Sequence, residues 1–185
     1  IARRAENGIE LRVHPTLIPA EELIANVNGV KNAVLVQAHA VGPTLYYGAG
    51  AGAGPTASAV VADVIDIVRD ISYTEDGAGT IPQLAFEDLT HVPILSREEM
   101  TTGYYIRLNA EDQTGVLADV TTILSRAGIS IDAIMQQSRL KDLIPIVILT
   151  DPIVESKMDE ALAQIQALPA IHGEIIRIRL ESLDS

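Results

Sequence analysis

The most constraining feature of the sequence is the order of hydrophobic periods in its second half. Apolar residues alternate with polar ones where a strand is predicted and recur at helical spacing where a helix is predicted. The predicted elements are the strand Tyr104–Leu108, the helix Thr114–Ala127, the strands Ser130–Gln136 and Ile144–Thr150, the helix Ile153–Leu168 and the strand Glu174–Leu180. This βαββαβ order within roughly 80 residues is the pattern of a ferredoxin-like module.

The first half of the chain has a less regular pattern. Strands are predicted at Ile9–Val13, Ala33–Ala40 and Thr44–Tyr47. A helix is predicted from Thr56 to Asp70, because its apolar residues fall on one stripe. The stripe consists of Val60, Val61, Val64, Ile65 and Val68.

These patterns predict an α+β fold with two parts. Residues 1–73 are expected to form a partial mixed sheet with a covering helix. Residues 74–100 contain glycines and prolines without a long apolar period, which indicates a linker. Residues 101–185 are expected to form the ferredoxin-like module.

The charge and composition of the chain exclude several classes of function. The 185 residues include 13 Lys and Arg against 25 Asp and Glu, for a net charge of -12. Such an acidic chain binds phosphate backbones and anionic lipids poorly, and aromatic residues for base stacking make up only 3%. There is no Cys and no apolar run near the roughly 18 residues that span a membrane. We expect a cytoplasmic protein that binds neither nucleic acid nor membrane.

A run of alternating glycine and alanine lies between the third predicted strand and the following helix. Gly48, Gly50, Gly52 and Gly54 leave the backbone bare, so that a ligand can approach it and the amides at the helix start. No Lys-Ser/Thr follows, which excludes a P-loop. Gly48-x-Gly50-x-x-Ala53 matches the looser dinucleotide-binding fingerprint. No strand ending in an acidic residue follows the helix, so a complete Rossmann unit is absent. Tight packing of the helix on a sheet explains the small residues equally well.

A second candidate site is the loop before the first helix of the module. Gly115 permits a sharp turn, after which the amides of Gly115, Val116 and Leu117 can bind a carboxylate. Asn109, Asp112 and Gln113 precede it and can bind an ammonium or hydroxyl group. These groups suit a free amino acid. The alternative is an ordinary helix N-terminus that Asp112 or Thr114 caps.

The sequence offers no catalytic residue and no metal site. The histidines are scattered and lack the spacing of metal ligands, at His14, His39, His91 and His172. Adjacent acids are expected on solvated surfaces, at Glu21-Glu22, Glu98-Glu99 and Asp159-Glu160. No general acid or base stands out.

Several longer motifs match a known family. The first part carries His14-Pro15-Thr16-Leu17-Ile18-Pro19, Asn26-Val27-Asn28-Gly29-Val30, Asn32-Ala33-Val34 and a run from Tyr47-Gly48 to Gly54-Pro55-Thr56-Ala57-Ser58-Ala59-Val60-Val61. These residues resemble the late catalytic region of the bacterial homoserine dehydrogenases. The second part carries Asp112-x-x-Gly115-x-Leu117 and Ala127-Gly128-Ile129-x-Ile131. This part resembles an ACT domain, the amino-acid-binding module that follows the catalytic region in the long members of that family.

The resemblance implies a C-terminal fragment of an enzyme that transfers a hydride between L-homoserine and aspartate 4-semialdehyde with NAD(P). The nucleotide-binding domain and the acid–base residues precede the matching segment in the family, so the fragment alone is expected to be inactive. Gly50, Gly52 and Thr56 match the family's contact with the nicotinamide end of the cofactor. The resemblance further implies a homo-oligomer and a small amino-acid effector, threonine, bound at Asn109, Asp112, Gln113, Gly115, Val116 and Leu117.

Two other functions remain open at this point. The chain could be a stand-alone amino-acid sensor with no enzymatic parent, or an accessory oligomerisation subunit. A strand, a glycine-rich turn and a helix encoded upstream of Ile1 would favour the enzyme.

Overall fold

The computed structural model describes residues 1–73, 91–136 and 143–183. Residues 74–90 of the predicted linker therefore lie outside the described residues. In chain order the elements are β1 (Ala2–Ala5), β2 (Gly8–Leu11), β3 (Thr16–Leu17), β4 (Lys31–Ala38), β5 (Gly42–Ala49), α1 (Ala53–Tyr73), β6 (Thr101–Glu111), α2 (Val116–Arg126), β7 (Ile131–Gln136), β8 (Leu143–Thr150), β9 (Ile153–Val154), α3 (Glu155–Gln166) and β10 (Ile171–Leu180). Short 3-10 turns lie at Leu23–Asn26 and Arg97–Glu99.

The chain divides into two compact units. Unit 1 contains Ile1–Pro19 together with Val92–Ser185, and unit 2 contains Ala20–His91. The amino-terminal 19 residues therefore pack with the second half of the chain rather than with the residues that follow them.

Unit 1 is built on one mixed sheet. Its strand order is β3-β10-β6-β8-β7, in which β3 runs parallel to β10 and the other neighbours are antiparallel. The strands from β6 onward, with α2 and α3, have the predicted βαββαβ order. The predicted α+β class is thereby confirmed.

One face of this sheet carries the hydrophobic core. Ile106 and Ile148 are directly paired across β6 and β8, and both are fully buried. Val120 and Leu124 of α2 and Ile165 of α3 pack into the same cluster, since residues three or four apart share one face of a helix. The second helix begins later than predicted. Ile153–Val154 pairs with Thr101 and Thr102 as β9, so α3 begins only at Glu155.

The amino-terminal segment joins this sheet at its edge. Thr16 and Leu17 of β3 pair with Arg179 and Leu180 of β10. Backbone hydrogen bonds join the β1–β2 hairpin to the segment that precedes β6. Ile9 N–H donates to the Pro93 carbonyl oxygen at 2.8 Å, and Leu95 N–H donates to the Ile9 carbonyl oxygen at 2.9 Å. These long-range bonds make the hairpin part of unit 1.

Glu155 forms a buried ionic cluster at the start of α3. Its carboxylate is fully buried and accepts hydrogen bonds from Arg179 and from the Tyr104 hydroxyl, the latter at 2.8 Å. Arg97 and Arg177 also pair with it. Burial alone raises the pKa of Glu155, but the hydrogen bonds from Arg179 and Tyr104 and the arginine charges outweigh this and lower the pKa to about 2. The ionised carboxylate therefore ties α3 to β6 and β10.

Unit 2 consists of a β-hairpin and a long helix. The strands β4 and β5 pair from Lys31 opposite Ala49 to Ala38 opposite Gly42. The helix α1 contains the predicted apolar stripe, but the stripe is exposed, with Val60 56% accessible and Ile65 45% accessible. Among the described residues, no helix is long and apolar enough to cross a membrane.

We expect Glu155→Gln to destabilise the chain at neutral pH, because it removes the buried counter-charge of the partly exposed Arg177 and Arg179. The folded pKa of about 2 lies below the ordinary value of 4.5. The ionised group therefore contributes stability above pH 4.5, on the order of 3 kcal/mol, which is lost as the pH falls toward 2. Urea unfolding followed by circular dichroism across this pH range should show the wild type and the variant converging at low pH.

The matched control is Glu160→Gln, which makes the same change at an exposed position of α3. It should retain the stability and the pH profile of the wild type. Parallel profiles for the wild type and Glu155→Gln would contradict the assignment of the pH dependence to this cluster.

Candidate functional site

The predicted amino-acid loop connects β6 to α2 at one end of the unit 1 sheet. Gly115 is the N-cap of α2 in the left-handed conformation, with φ +100° and ψ -23°. An L-residue with a β-carbon adopts this conformation only under strain. The backbone conformation therefore favours glycine here. A neighbouring atom is not the cause, since nothing lies within 4 Å of the position of a β-carbon.

The N-cap of α2 is Gly115, and no side-chain capping hydrogen bond is made from that position. Neither Asp112 nor Thr114, the residues expected in the alternative, occupies the cap position. The first helical bond runs from Asp119 N–H to the Gly115 carbonyl oxygen at 2.9 Å, so the amides of Val116 and Leu117 have no partner within the helix. The positive end of the helix is left uncapped beside an exposed loop, and such an arrangement favours an anion.

Apart from Gly115, the predicted effector residues divide into two kinds. Asn109, Asp112 and Gln113 are exposed, whereas Val116 is buried and the Leu117 side chain packs against the core. The last two can therefore offer only their backbone amides to a ligand. The structure brings all six to the same end of the sheet, with Asn109 near the end of β6 and the others in the loop and the first turn of α2.

Two residues beside this loop were not predicted from the sequence. Glu111 accepts a hydrogen bond from the Gln113 side chain at 2.6 Å and lies 2.7 Å from His172 Nε2. His172 reaches the loop because it pairs with Asn109 across β10 and β6. A strand register between residues so distant in sequence leaves no local signal, and His172 therefore looked like an isolated surface residue.

The glycine–alanine run forms the turn between β5 and α1 in unit 2. Gly52 has φ +118°, and its carbonyl oxygen accepts a hydrogen bond from Thr56 N–H at 3.1 Å. A β-carbon on Gly50 would lie 1.8 Å from Asn32 Nδ2, whereas one on Gly48 would meet nothing within 4 Å. A side chain at Gly50 would therefore displace the exposed Asn32 side chain of β4, independently of any ligand.

The turn is open to a ligand on its exposed side. Gly50, Gly52 and Thr56 are all exposed, and α1 has no acidic residue in its first turn. The bare backbone and the positive helix end fit the polar groups of a dinucleotide. Within the described residues, no group of three His, Asp or Glu side chains can hold a metal ion.

Comparison with protein families assigns both halves of the chain. Residues 104–168 match the family model for the ACT domain, so the ferredoxin-like part of unit 1 is an ACT domain. Residues 1–65 match the family model for homoserine dehydrogenase. The chain thus belongs to the homoserine dehydrogenase family and corresponds to its C-terminal portion.

Individual relatives agree with this assignment. The chain is 50% identical to the homoserine dehydrogenase of Pseudomonas aeruginosa over 100% of its own length and 43% of that protein. It is 48% identical to that of Neisseria gonorrhoeae over 99% of its length and 42% of that protein. A solved homoserine dehydrogenase from Thiobacillus denitrificans matches with a TM-score of 0.89 and 55% identity, over 98% of this chain and 41% of that one. The chain therefore spans less than half the length of these relatives.

Proposed function

We propose that the chain works as the C-terminal portion of a homoserine dehydrogenase, which interconverts L-homoserine and L-aspartate 4-semialdehyde in threonine, methionine and isoleucine biosynthesis. The match of residues 1–65 to the homoserine dehydrogenase family model carries this proposal. It also disfavours a stand-alone amino-acid sensor, which would need only the ACT domain. In this proposal residues 1–73 end the substrate domain, residues 74–100 link it to the ACT domain, and residues 101–185 regulate it.

The glycine turn of unit 2 is proposed to contact the nicotinamide cofactor of the parent enzyme. NAD(P) supplies the hydride acceptor when it is bound. Gly52 gives the turn its left-handed backbone, Gly50 leaves room for the Asn32 side chain of β4, and the Thr56 N–H in the first turn of α1 donates to the Gly52 carbonyl oxygen. These residues position and accommodate the cofactor, and none of them is placed in proton transfer.

The loop between β6 and α2 is proposed to bind a small amino-acid effector, threonine. The observation that supports it most directly is the uncapped start of α2 at Gly115. The free amides there suit the effector's carboxylate, and the side chains of Asn109 and Gln113 are exposed beside them. The effector changes catalysis only if it binds one arrangement of the enzyme more tightly than another.

The protein is further proposed to act as a homo-oligomer. Unit 2 exposes apolar side chains on β4, β5 and α1, and an apolar surface of this extent is normally covered. They include Val34, Tyr46, Val60, Val64 and Ile67. We propose that the remainder of the enzyme and a second subunit cover this surface.

We expect the isolated chain to oxidise no L-homoserine in the presence of NAD+ or NADP+. The family's acid–base residues lie in the portion of the enzyme that this chain does not span. Formation of reduced nicotinamide, followed by absorbance, is the measurement, with a complete homoserine dehydrogenase as the positive control. Turnover by the pure chain would contradict the proposal that the acid–base residues lie outside this chain.

We expect calorimetry to detect heat when L-threonine is added to the chain, and Gly115→Val to abolish the heat from this loop. Valine at a positive φ distorts the turn that presents the amides. Gly128→Val is the matched control, because Gly128 also has a positive φ, +72°, but lies at the other end of α2. It should retain the heat.

Asn109→Ala provides a second variant, because it removes an exposed polar group without straining the backbone. We expect it to weaken binding several-fold. Absence of heat with every proteinogenic amino acid would overturn the effector proposal while leaving the dehydrogenase proposal intact.

A further inference from the structure

A cavity of about 450 Å3 lies in unit 1, at the end of the sheet opposite to the loop of Gly115. Its walls come from the β1–β2 hairpin, the first residues of β6 and the residues that follow β8 and β10. The 11 residues of β6 separate the two sites by roughly 30 Å. The cavity is thus distinct from the proposed effector loop, and its volume falls within the range of small-molecule sites.

The walls of the cavity belong to two regions of the family assignment. Arg3, Arg4 and Glu10 belong to the region that matches homoserine dehydrogenase, whereas Asp132 and Asp151 belong to the ACT domain. A ligand that touched both walls would join the two regions directly. The loop of Gly115 lies within the ACT region only.

Two residues that line the cavity, Glu10 and Glu181, belong to a buried charge network. The Glu10 and Glu181 residues are 5% and 7% exposed, and Arg12 lies between them, with its Nε 2.6 Å from Glu10 Oε1 and its Nη2 2.9 Å from Glu181 Oε2. Arg3 also pairs with Glu181. These ion pairs neutralise the two buried carboxylates and hold the hairpin wall in place.

Other charges at the cavity are left for a ligand. Arg4, Asp132 and Asp151 line the cavity and form no ion pair with any residue in the described ranges. Asp132 lies where the pairing of β7 with β8 is irregular, between Ile131 and Ala133. Such irregularities redirect a side chain and are common beside binding sites.

The signs of these charges indicate the ligand's chemistry. One guanidinium suits a carboxylate, and two carboxylates suit an ammonium group. The lining contains two arginines and five acidic residues, so a ligand must carry a positive group. A metal ion is disfavoured, because no cluster of three ligating side chains occurs in the described residues.

We propose that this cavity binds an α-amino acid as its zwitterion, with the carboxylate on Arg4 and the ammonium on Asp132 and Asp151. The cavity is a second amino-acid site, and the proposal does not depend on binding at the loop of Gly115. Occupancy strengthens the attachment of the β1–β2 hairpin to the ACT sheet, because the ligand contacts both.

The test is calorimetry of the full chain with L-threonine, and with two half-ligands. L-lactate carries the carboxylate without the ammonium, and ethanolamine carries the ammonium without the carboxylate. We expect each half-ligand to bind at least tenfold more weakly than L-threonine. A half-ligand that binds as tightly as L-threonine would overturn the zwitterion assignment.

Variants distinguish this cavity from the loop. Arg4→Gln and Asp151→Asn should each raise the Kd of the cavity site at least tenfold, whereas Gly115→Val should leave it unchanged. Arg126→Gln is the matched control, because Arg126 is an exposed arginine of α2 away from the cavity. It should leave the Kd unchanged.

Each outcome decides between the two sites. Loss of binding in the cavity variants supports this proposal, and two separable sites support both proposals. Heat that Gly115→Val abolishes and the cavity variants leave intact would overturn this proposal and keep the effector loop. Absence of heat with L-threonine and with every other proteinogenic amino acid in the wild-type chain would overturn both.

Discussion

The organisation of unit 1 depends on a buried arginine. The Arg12 side chain is 1% exposed and is held between Glu10 on its own hairpin and Glu181 after the last strand. Burial lowers the pKa of Arg12, and the charge of Glu10 opposes that effect. A buried charge is tolerated only when it is paired, so the hairpin and the end of β10 must meet. In the same region β3 pairs with β10, and Glu181 lines the cavity.

The two proposed amino-acid sites differ in which regions of the chain a bound ligand contacts. An effector at the loop of Gly115 acts on the start of α2, within the ACT region. A ligand beside Arg4 contacts both the region related to homoserine dehydrogenase and the ACT region. Coupling requires a ligand to favour one arrangement over another, and a ligand that bridges two segments meets this condition most directly. The sheet between the sites is well packed and can transmit strain.

The sequence predicts the second half of the fold better than the first. Hydrophobic periods locate β6, β7, β8 and β10 with the two helices, because each of these elements buries one face locally. The docking of residues 1–19 on the ACT sheet leaves no such signal, since Arg12 and Glu181 meet only after folding. For the same reason Asp159 was expected on a solvated surface, yet it pairs with Arg97 and Arg177. At the candidate site, the loop could be located from Gly115, but its contacts with His172 depend on strand register.

A double-mutant cycle on Arg12 and Glu181 tests most directly whether the amino-terminal segment and the ACT domain form one cooperative unit. Unfolding free energies of the wild type, Arg12→Met, Glu181→Gln and the double variant are compared in urea. The account predicts a coupling energy above about 1 kcal/mol, because either single variant already removes the buried Arg12–Glu181 pair and the double variant cannot remove it a second time. Additive effects, within about 0.5 kcal/mol, would show that the segment is attached independently of this pair and would contradict the account.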